Sequence, residues 1–226
     1  IDSKKVRELE GLIVRDVYRR GKYLIIKLNR EDMNLIIHLG MTGLISFSDS
    51  ESYTKQKHDH LLLHFKNLIL IYNDVRKFGS IHFSNRINNM FLIKNLGPEP
   101  LSCEFDEKYI YNLSKNRSCT IKELIMNQKI VVGVGNIYAT EALFLSKIHP
   151  ATKSSRVSFM KLKQLVKNIK LVLLQSIKMG GTTIKDYVNA EGKPGYFVQK
   201  LLIYQKEYCP IHKKNKINNI KISGRS

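Results

Sequence analysis

The sequence predicts an α+β chain, with an antiparallel β-sandwich or barrel first and a helical region after it. Three observations carry that expectation. The first ninety residues alternate in short apolar runs of strand length, rich in β-branched and aromatic residues. Gly97-Pro98-Glu99-Pro100 then interrupts the chain, because neither proline fits a helix interior or a central strand. Beyond it, apolar residues recur at three- and four-residue spacing, the period of an amphipathic helix.

The strand-like runs are residues 12–18, 23–28, 35–39, 44–47, 60–65, 68–72 and 80–83. Turn residues such as Asn29-Arg30-Glu31-Asp32 and Lys66-Asn67 separate them. Seven runs at roughly ten-residue spacing suit a sandwich or barrel closed by antiparallel pairing. Helical periodicity covers residues 105–113, 120–126, 137–147 and 159–178. The last is the clearest, with Leu162, Leu165, Val166, Ile169, Val172 and Leu173 on one stripe and Gly180-Gly181 just past its end. A loop through Gly192-Lys193-Pro194-Gly195 leads to a strand-like run over 196–204 and then to Cys209-Pro210-Ile211-His212 and a basic tail.

The stretch most specific to function is Val131 to Pro150, where Gly133 and Gly135 run into Asn136 and an apolar helix. Asn136 reads as the N-cap, and a helix start presented by a glycine turn offers free N–H groups to a phosphate. Two nucleotide-binding loops are excluded. No Gly-Lys-Ser/Thr follows, and Tyr138 stands where a dinucleotide fingerprint needs its third glycine.

Composition bounds the partners. Lys and Arg number 38 against 19 Asp and Glu, a net charge of +19, which calls for an acidic partner such as nucleic acid. The abundance of Ile, Asn and Lys is also that of an A/T-rich genome, which accounts for part of the charge. No apolar run approaches the ~20 residues of a membrane span, and no signal peptide is visible. Three cysteines without a pairing pattern fit a reducing compartment, so a cytoplasmic monomer without a membrane partner is expected. The chain opens on Ile1-Asp2-Ser3, and its first segment reads as mid-domain sequence, as in a fragment.

Eight blocks then carry a resemblance. They are Arg19-Arg20-Gly21-Lys22-Tyr23-Leu24, His38-Leu39-Gly40-Met41-Thr42-Gly43, Lys57-His58-Asp59-His60, Asp74-Val75-Arg76-Lys77-Phe78-Gly79, Leu96-Gly97-Pro98-Glu99-Pro100-Leu101, the glycine turn before Asn136, Gly180-Gly181-Thr182-Thr183 and Gly192-Lys193-Pro194-Gly195-Tyr196-Phe197. In that order they resemble the formamidopyrimidine-DNA glycosylases, and the last loop with the Gly-Pro-Glu-Pro block fits the 8-oxoguanine branch better than the related endonuclease VIII enzymes. The resemblance implies an N-terminal β-sandwich over 1–96, a helical domain with a helix–two-turn–helix motif over 97–195 and a partial zinc-finger hairpin over 196–226. It places double-stranded DNA carrying oxidised purines or abasic sites in the cleft between domains. It implies base excision followed by β,δ-elimination at the abasic site.

Roles follow residue by residue from the same resemblance. Met41 resembles the filler of the space left by a flipped base, and its flexible thioether suits an irregular gap. Arg76 resembles the residue that pairs with the orphaned base, and Phe78 the wedge that kinks the duplex. Lys22 resembles the lysine that contacts lesion phosphates and assists β-elimination. His58, Lys122 and Asn136 resemble phosphate contacts, which His38 shares or supports. Lys185 and Tyr204 complete the DNA-contacting positions. Thr182, Thr183 and Tyr196 resemble the lid over the extruded base. Where relatives carry a basic residue just before the Lys122 helix, this chain has Arg117-Ser118.

Two elements of the pattern are incomplete. Relatives close a tetrahedral zinc site with two Cys-x-x-Cys pairs, whereas here the first pair reads Cys209-x-x-His212 and the chain ends at Ser226. Zinc is thus the implied cofactor with Cys209 and His212 as its candidate ligands, and Arg225 in Ser223-Gly224-Arg225 resembles the hairpin arginine that helps δ-elimination. Cys103 and Cys119 have no partner at ligand spacing and read as inert. The family's nucleophile is an N-terminal proline followed by glutamate, and no such start stands here, so a chain beginning at Ile1 is expected to cut 8-oxoguanine poorly. The alternatives are a non-catalytic DNA-binding fragment or degenerate copy, and an endonuclease VIII-type enzyme for oxidised pyrimidines.

Overall fold

The computed structural model describes residues 3–31, 33–84, 90–182 and 195–226. The chain divides into two compact units, one of residues 1–94 with 180–196, the other of residues 95–179 with 197–226. Gly180 to Thr182 and Gly195-Tyr196 thus group with the first unit, and the C-terminal hairpin groups with the helices.

The first unit opens on a short helix, α1 (Ser3–Arg7), followed by β1 (Val14–Arg20), β2 (Tyr23–Leu28), β3 (Asn34–His38), β4 (Gly43–Asp49), β5 (Asp59–His64), β6 (Leu68–Asp74), β7 (Ser80–Ser84) and the one-turn helix α2 (Phe91–Lys94). Each apolar run forms a strand, with bounds that move by up to two residues. Two antiparallel sheets result, ordered β1-β2-β3-β7 and β4-β6-β5. Ile26, Leu35, Ile37, Leu61, Tyr72 and Ile81 fill the sandwich interior, with Val6 of α1 packed against them. The opposite face of the first sheet turns Ile25 and Ile36 toward Met90, Leu92 and Ile93 around α2. That second cover explains why β3 is apolar at every position from Leu35 to Ile37 instead of alternating. Neither short helix is legible from periodicity, because four or five residues give too little of a 3.6-residue repeat.

The second unit holds α3 (Glu107–Ser114), α4 (Ile121–Met126), α5 (Asn136–Leu145) and α6 (Phe159–Lys178). Asp106 caps α3 by accepting the Tyr109 N–H at 2.7 Å, and Ser158 caps α6. Thr120 and Glu123 form a capping box on α4, which fixes that six-residue helix at its start. The α6 stripe read from the sequence is buried at all six positions; all but Val172 pack on Phe105, Ile110, Ile125, Leu143 and their neighbours, and Val172 packs on Phe197 and Leu201. Truncating one of these, such as Leu162 or Ile169, removes fully buried methyl groups, a change of ~2–5 kcal/mol.

Two local expectations are corrected. Asn136 is the first residue of α5 and not its cap, because the Ala139 N–H already bonds the Gly135 carbonyl at 2.9 Å and Gly135 holds the extended cap conformation. The run over 196–204 is not a strand. It forms a 3-10 turn, Phe197–Lys200, since Phe197 and Leu201 bury together on Val172 of α6 and the following N–H groups are taken by a carboxylate described below.

Candidate nucleic-acid interface

In the first unit, two connections cross from one sheet to the other at the same end. Residues 39–42 join β3 to β4, and residues 75–79 join β6 to β7. Because β3 pairs with β7 and β4 with β6, the two turns lie side by side, with His38 opposite Ser80 and Gly43 opposite Asp74. Gly40, at φ +64, lies so close to the second turn that a Cβ there would come within 2.6 Å of the Gly79 nitrogen. Met41 is 66% exposed and Phe78 56% exposed at the tips, beside exposed Arg76. The Arg76 guanidinium lies over the Phe78 ring at 4.5 Å, a cation–π contact that aligns the two side chains. Large apolar side chains held in water on sheet turns are poised for a partner surface.

Asp74 lies beneath these tips and is 1% exposed. Burial alone would raise its pKa, but the Thr42 hydroxyl, the Gly79 N–H and the Tyr72 hydroxyl donate to it and hold it below the ordinary aspartate value. Tyr72 responds in the opposite sense, pushed up to about 12 by burial and by the Asp74 charge.

Lys22 opens β2 on the exposed turn, where Arg19 Nη1 donates to the Gly21 carbonyl at 2.8 Å. Its charge is felt at His38, whose pKa is lowered by burial and by Lys22 and His82. His38 accepts the Gly40 N–H on Nδ1 at 3.1 Å and stacks obliquely on Tyr23, so it stands directly before the Met41 turn. His58 takes a left-handed backbone at φ 75, and its carbonyl accepts the Asp74 N–H at 3.1 Å. Neighbouring Asp59 bonds Tyr53, the Gln56 N–H and Asn73, which fixes the loop that carries His58. Thr182 pairs with exposed Tyr196 in an isolated bridge. Thr183 and Lys185 lie outside the described residues.

In the second unit, the Asn136 side-chain oxygen is buried at the start of α5 with no hydrogen-bond partner among the described residues. The turn before it is shaped by Gln128, whose side-chain oxygen accepts the Gly133 N–H at 3.1 Å. Lys122 is buried on α4, with Nζ 2.6 Å from the Ser226 carbonyl oxygen, and its pKa is lowered by burial and by the charge of Arg225. Two cations thus converge where Ser223 also donates to Glu123. Tyr204 is half-buried against the Val172 and Phe197 cluster. Its backbone N–H, with those of Leu202 and Ile203, is bound by the buried Glu141 of α5.

Cys209 and His212 form the turn expected of a metal-ligand pair, with the sulfur 3.7 Å from the ring Nδ1 and the His212 N–H directed at it. They are two donors where a structural zinc site takes four. Among the described residues no group of three or more His, Cys, Asp or Glu gathers, so these residues do not by themselves fit the ion.

Two family models match the chain. The formamidopyrimidine-DNA glycosylase N-terminal domain spans residues 2–81, and the formamidopyrimidine-DNA glycosylase H2TH domain spans 96–188. A formamidopyrimidine-DNA glycosylase of Glaesserella parasuis is 43% identical over 204 residues, covering 89% of this chain and 74% of the relative. The chain belongs to the formamidopyrimidine-DNA glycosylase family. Among solved members, a Lactococcus lactis FPG mutant in complex with Fapy-dG-containing DNA superposes with a TM-score of 0.88 at 35% identity, over 98% of this chain and 82% of that one. The Lactococcus lactis protein with abasic-site DNA gives 0.87 at 36% identity over the same shares. The sheet-crossing turns and the α4–α5 turn described above lie within the two matched glycosylase domains.

Sequence reasoning named Met41, Arg76 and Phe78, and it missed the residues that hold them. Asp74 follows polar Asn73 at the end of β6 and carried little signal, whereas Glu141, which holds the segment Leu202 to Tyr204, stood out as the charged residue within α5. Among the described residues no helix is long and apolar enough to cross a membrane.

Proposed function

We propose that this chain is the lesion-reading body of a base-excision-repair glycosylase that removes oxidised purines, 8-oxoguanine and formamidopyrimidines, from double-stranded DNA and then nicks the abasic strand by β,δ-elimination. The observation that carries this is the pair of sheet-crossing turns, with Met41, Arg76 and Phe78 exposed at their tips in a chain of net charge +19. Family membership and solved relatives bound to lesion DNA support it.

In this reading the duplex is kinked and the damaged nucleotide extruded, which costs a few kcal/mol of stacking. Phe78 wedges the step, Met41 fills the vacated space, and Arg76 offers its planar donors to the unpaired base. Lys122 and Arg225 neutralise the bent phosphates and His58 and Asn136 hydrogen-bond them, with His38, Lys185 and Tyr204 beside them. Thr182, Thr183 and Tyr196 close over the extruded base. An amine forms a bond to the sugar C1′ as the glycosidic bond breaks, and the base leaves with its electron pair and takes up a proton. The C1′–O4′ bond then breaks, O4′ taking up a proton, and the resulting iminium acidifies C2′. Loss of a C2′ proton expels the 3′ phosphate by β-elimination, with Lys22 assisting, and a second elimination, helped by Arg225, expels the 5′ phosphate. The attacking amine is assigned to none of the described residues, and no step is assigned to zinc.

The test is binding and borohydride trapping on duplexes carrying 8-oxoguanine opposite cytosine or an abasic site. Tighter binding to both than to undamaged duplex is expected. A covalent adduct on both would show a competent amine in the preparation, and binding without an adduct would leave this chain a reader of lesions. Equal affinity for damaged and undamaged DNA would overturn the proposal.

A further inference from the structure

The two DNA-facing turns of the first unit are not independent loops. Thr42 sits one residue from Met41, and its hydroxyl donates to Asp74 Oδ1 at 2.5 Å. The same Thr42 oxygen accepts the Arg76 N–H at 3.2 Å, so one hydroxyl ties the first turn to the backbone of the second. The other carboxylate oxygen of Asp74 accepts the Gly79 N–H at 2.8 Å, one residue from Phe78, and the Tyr72 hydroxyl at 3.2 Å. His60 Nε2 lies 2.9 Å from the Asp74 carbonyl oxygen. Each tip residue is therefore adjacent in sequence, or bonded through its own backbone, to a group held by Asp74.

We propose that Asp74, acting through the Thr42 hydroxyl, is a positioning residue that locks the Met41 turn and the Arg76–Phe78 turn into one rigid probe. This rests on the reading of Met41, Arg76 and Phe78 as the residues inserted into the duplex. Three physical points support it. A carboxylate almost wholly removed from water is costly unless every lone pair is used, and here both oxygens accept hydrogen bonds from the turns or the strand beneath. The donors come from residues 32 positions apart for Thr42 and five for Gly79, so the contact closes only when β4 has paired with β6, Gly43 opposite Asp74. The backbones also touch where Gly40 meets Gly79, which leaves no room for one turn to slide on the other. A probe that must occupy a base-sized hole loses function for displacements of about 1 Å. Fixing its two halves to one buried anion removes that freedom before DNA arrives.

Thr42→Val keeps the shape and removes the hydroxyl, and Thr42→Ser restores it. The test measures the affinity ratio for abasic over undamaged duplex, the fluorescence of 2-aminopurine placed opposite the abasic site, and the thermal midpoint of each variant. Asp74→Asn is the second probe, and Met41→Ala and Phe78→Ala are controls for the underlying reading. Thr42→Val is expected to lower the affinity ratio about tenfold and to weaken the 2-aminopurine response. Binding to undamaged duplex and its salt slope should stay unchanged, with recovery in Thr42→Ser. If the controls lose the preference while Thr42→Val and Asp74→Asn, both folded, keep it, the lock is wrong. If the controls themselves keep the preference, the insertion reading fails and the lock fails with it. Equal loss of damaged and undamaged binding with a lowered midpoint would mean a purely structural role and overturn the proposal.

Discussion

Glu141 and Tyr204 are joined across 63 residues of the second unit by a hydrogen bond of 2.8 Å, from the Tyr204 N–H to the Glu141 carboxylate. Leu202 and Ile203 donate to the same carboxylate at 2.8 and 3.0 Å, so one buried side chain from α5 organises the return of the chain after α6. Leu202 uses one oxygen, and Ile203 and Tyr204 share the other. A carboxamide supplies a single acceptor oxygen and turns two donors on an N–H. Glu141→Gln is therefore expected to cost ~2–3 kcal/mol, read as a lower urea midpoint. An unchanged midpoint would mean that the segment is held by its apolar contacts alone.

Arg76→Ala is expected to weaken binding to lesion duplex by ~1–3 kcal/mol. Arg76→Lys should recover little of it, since an ammonium lacks the planar fork and the broad contact over Phe78. Competition binding with an abasic duplex decides the point, and an unaltered affinity in Arg76→Ala removes the base-pairing role.

Salt should act on the whole interface. With six phosphates neutralised, affinity falls by ~10³-fold between 50 and 200 mM salt. A slope near zero would show that the positive charge of the chain is not spent on DNA.

The Asp74–Tyr72 pair sets a pH signature in the first unit. Asp74 is held below its ordinary value of 3.8, so its contribution is complete well above that value and is lost as pH falls below it. Tyr72 is raised from 10.0 to about 12, so the stability it adds is complete below 10 and disappears as pH rises through about 12. Tyr72→Phe should flatten the alkaline limb of a stability–pH curve, and Thr42→Val should soften the acid limb. Coincident curves for variant and parent would dismiss the coupling.

A chelator is expected to leave the thermal midpoint of the 226-residue chain unchanged, because the Cys209–His212 pair offers two ligands. A lowered midpoint would point to further donors.

The sheet strands and the long α6 stripe were legible because each buries a face whose period is written locally, as in Leu162, Leu165 and Ile169. Met41, Arg76 and Phe78 were legible only as parts of motifs, since an exposed Met or Phe carries no local signal of its own. The fastening beneath them was not legible. Thr42 and Asp74 meet because β4 pairs with β6 in one particular register, and no short-range pattern encodes that register. The run over 196–204 misled for a related reason. Its β-like composition was overridden by a carboxylate some sixty residues earlier in the chain, bonded to three of its N–H groups.

The anchoring of Arg76 and Gly79 through the sandwich interior has a consequence for how the protein ages and fails. Surface turns ordinarily breathe on their own, exchanging amide hydrogens long before the core opens. Here the amides of Arg76 and Gly79 point at Thr42 and Asp74, so they are released when the β4–β6 pairing that brings Thr42 to Asp74 opens. In the proposed reading, the turns that inspect DNA then share the lifetime of the sheet that carries them. On that reading, damage that opens the β4–β6 pair silences inspection in the same event, leaving no long-lived form that is folded but blind.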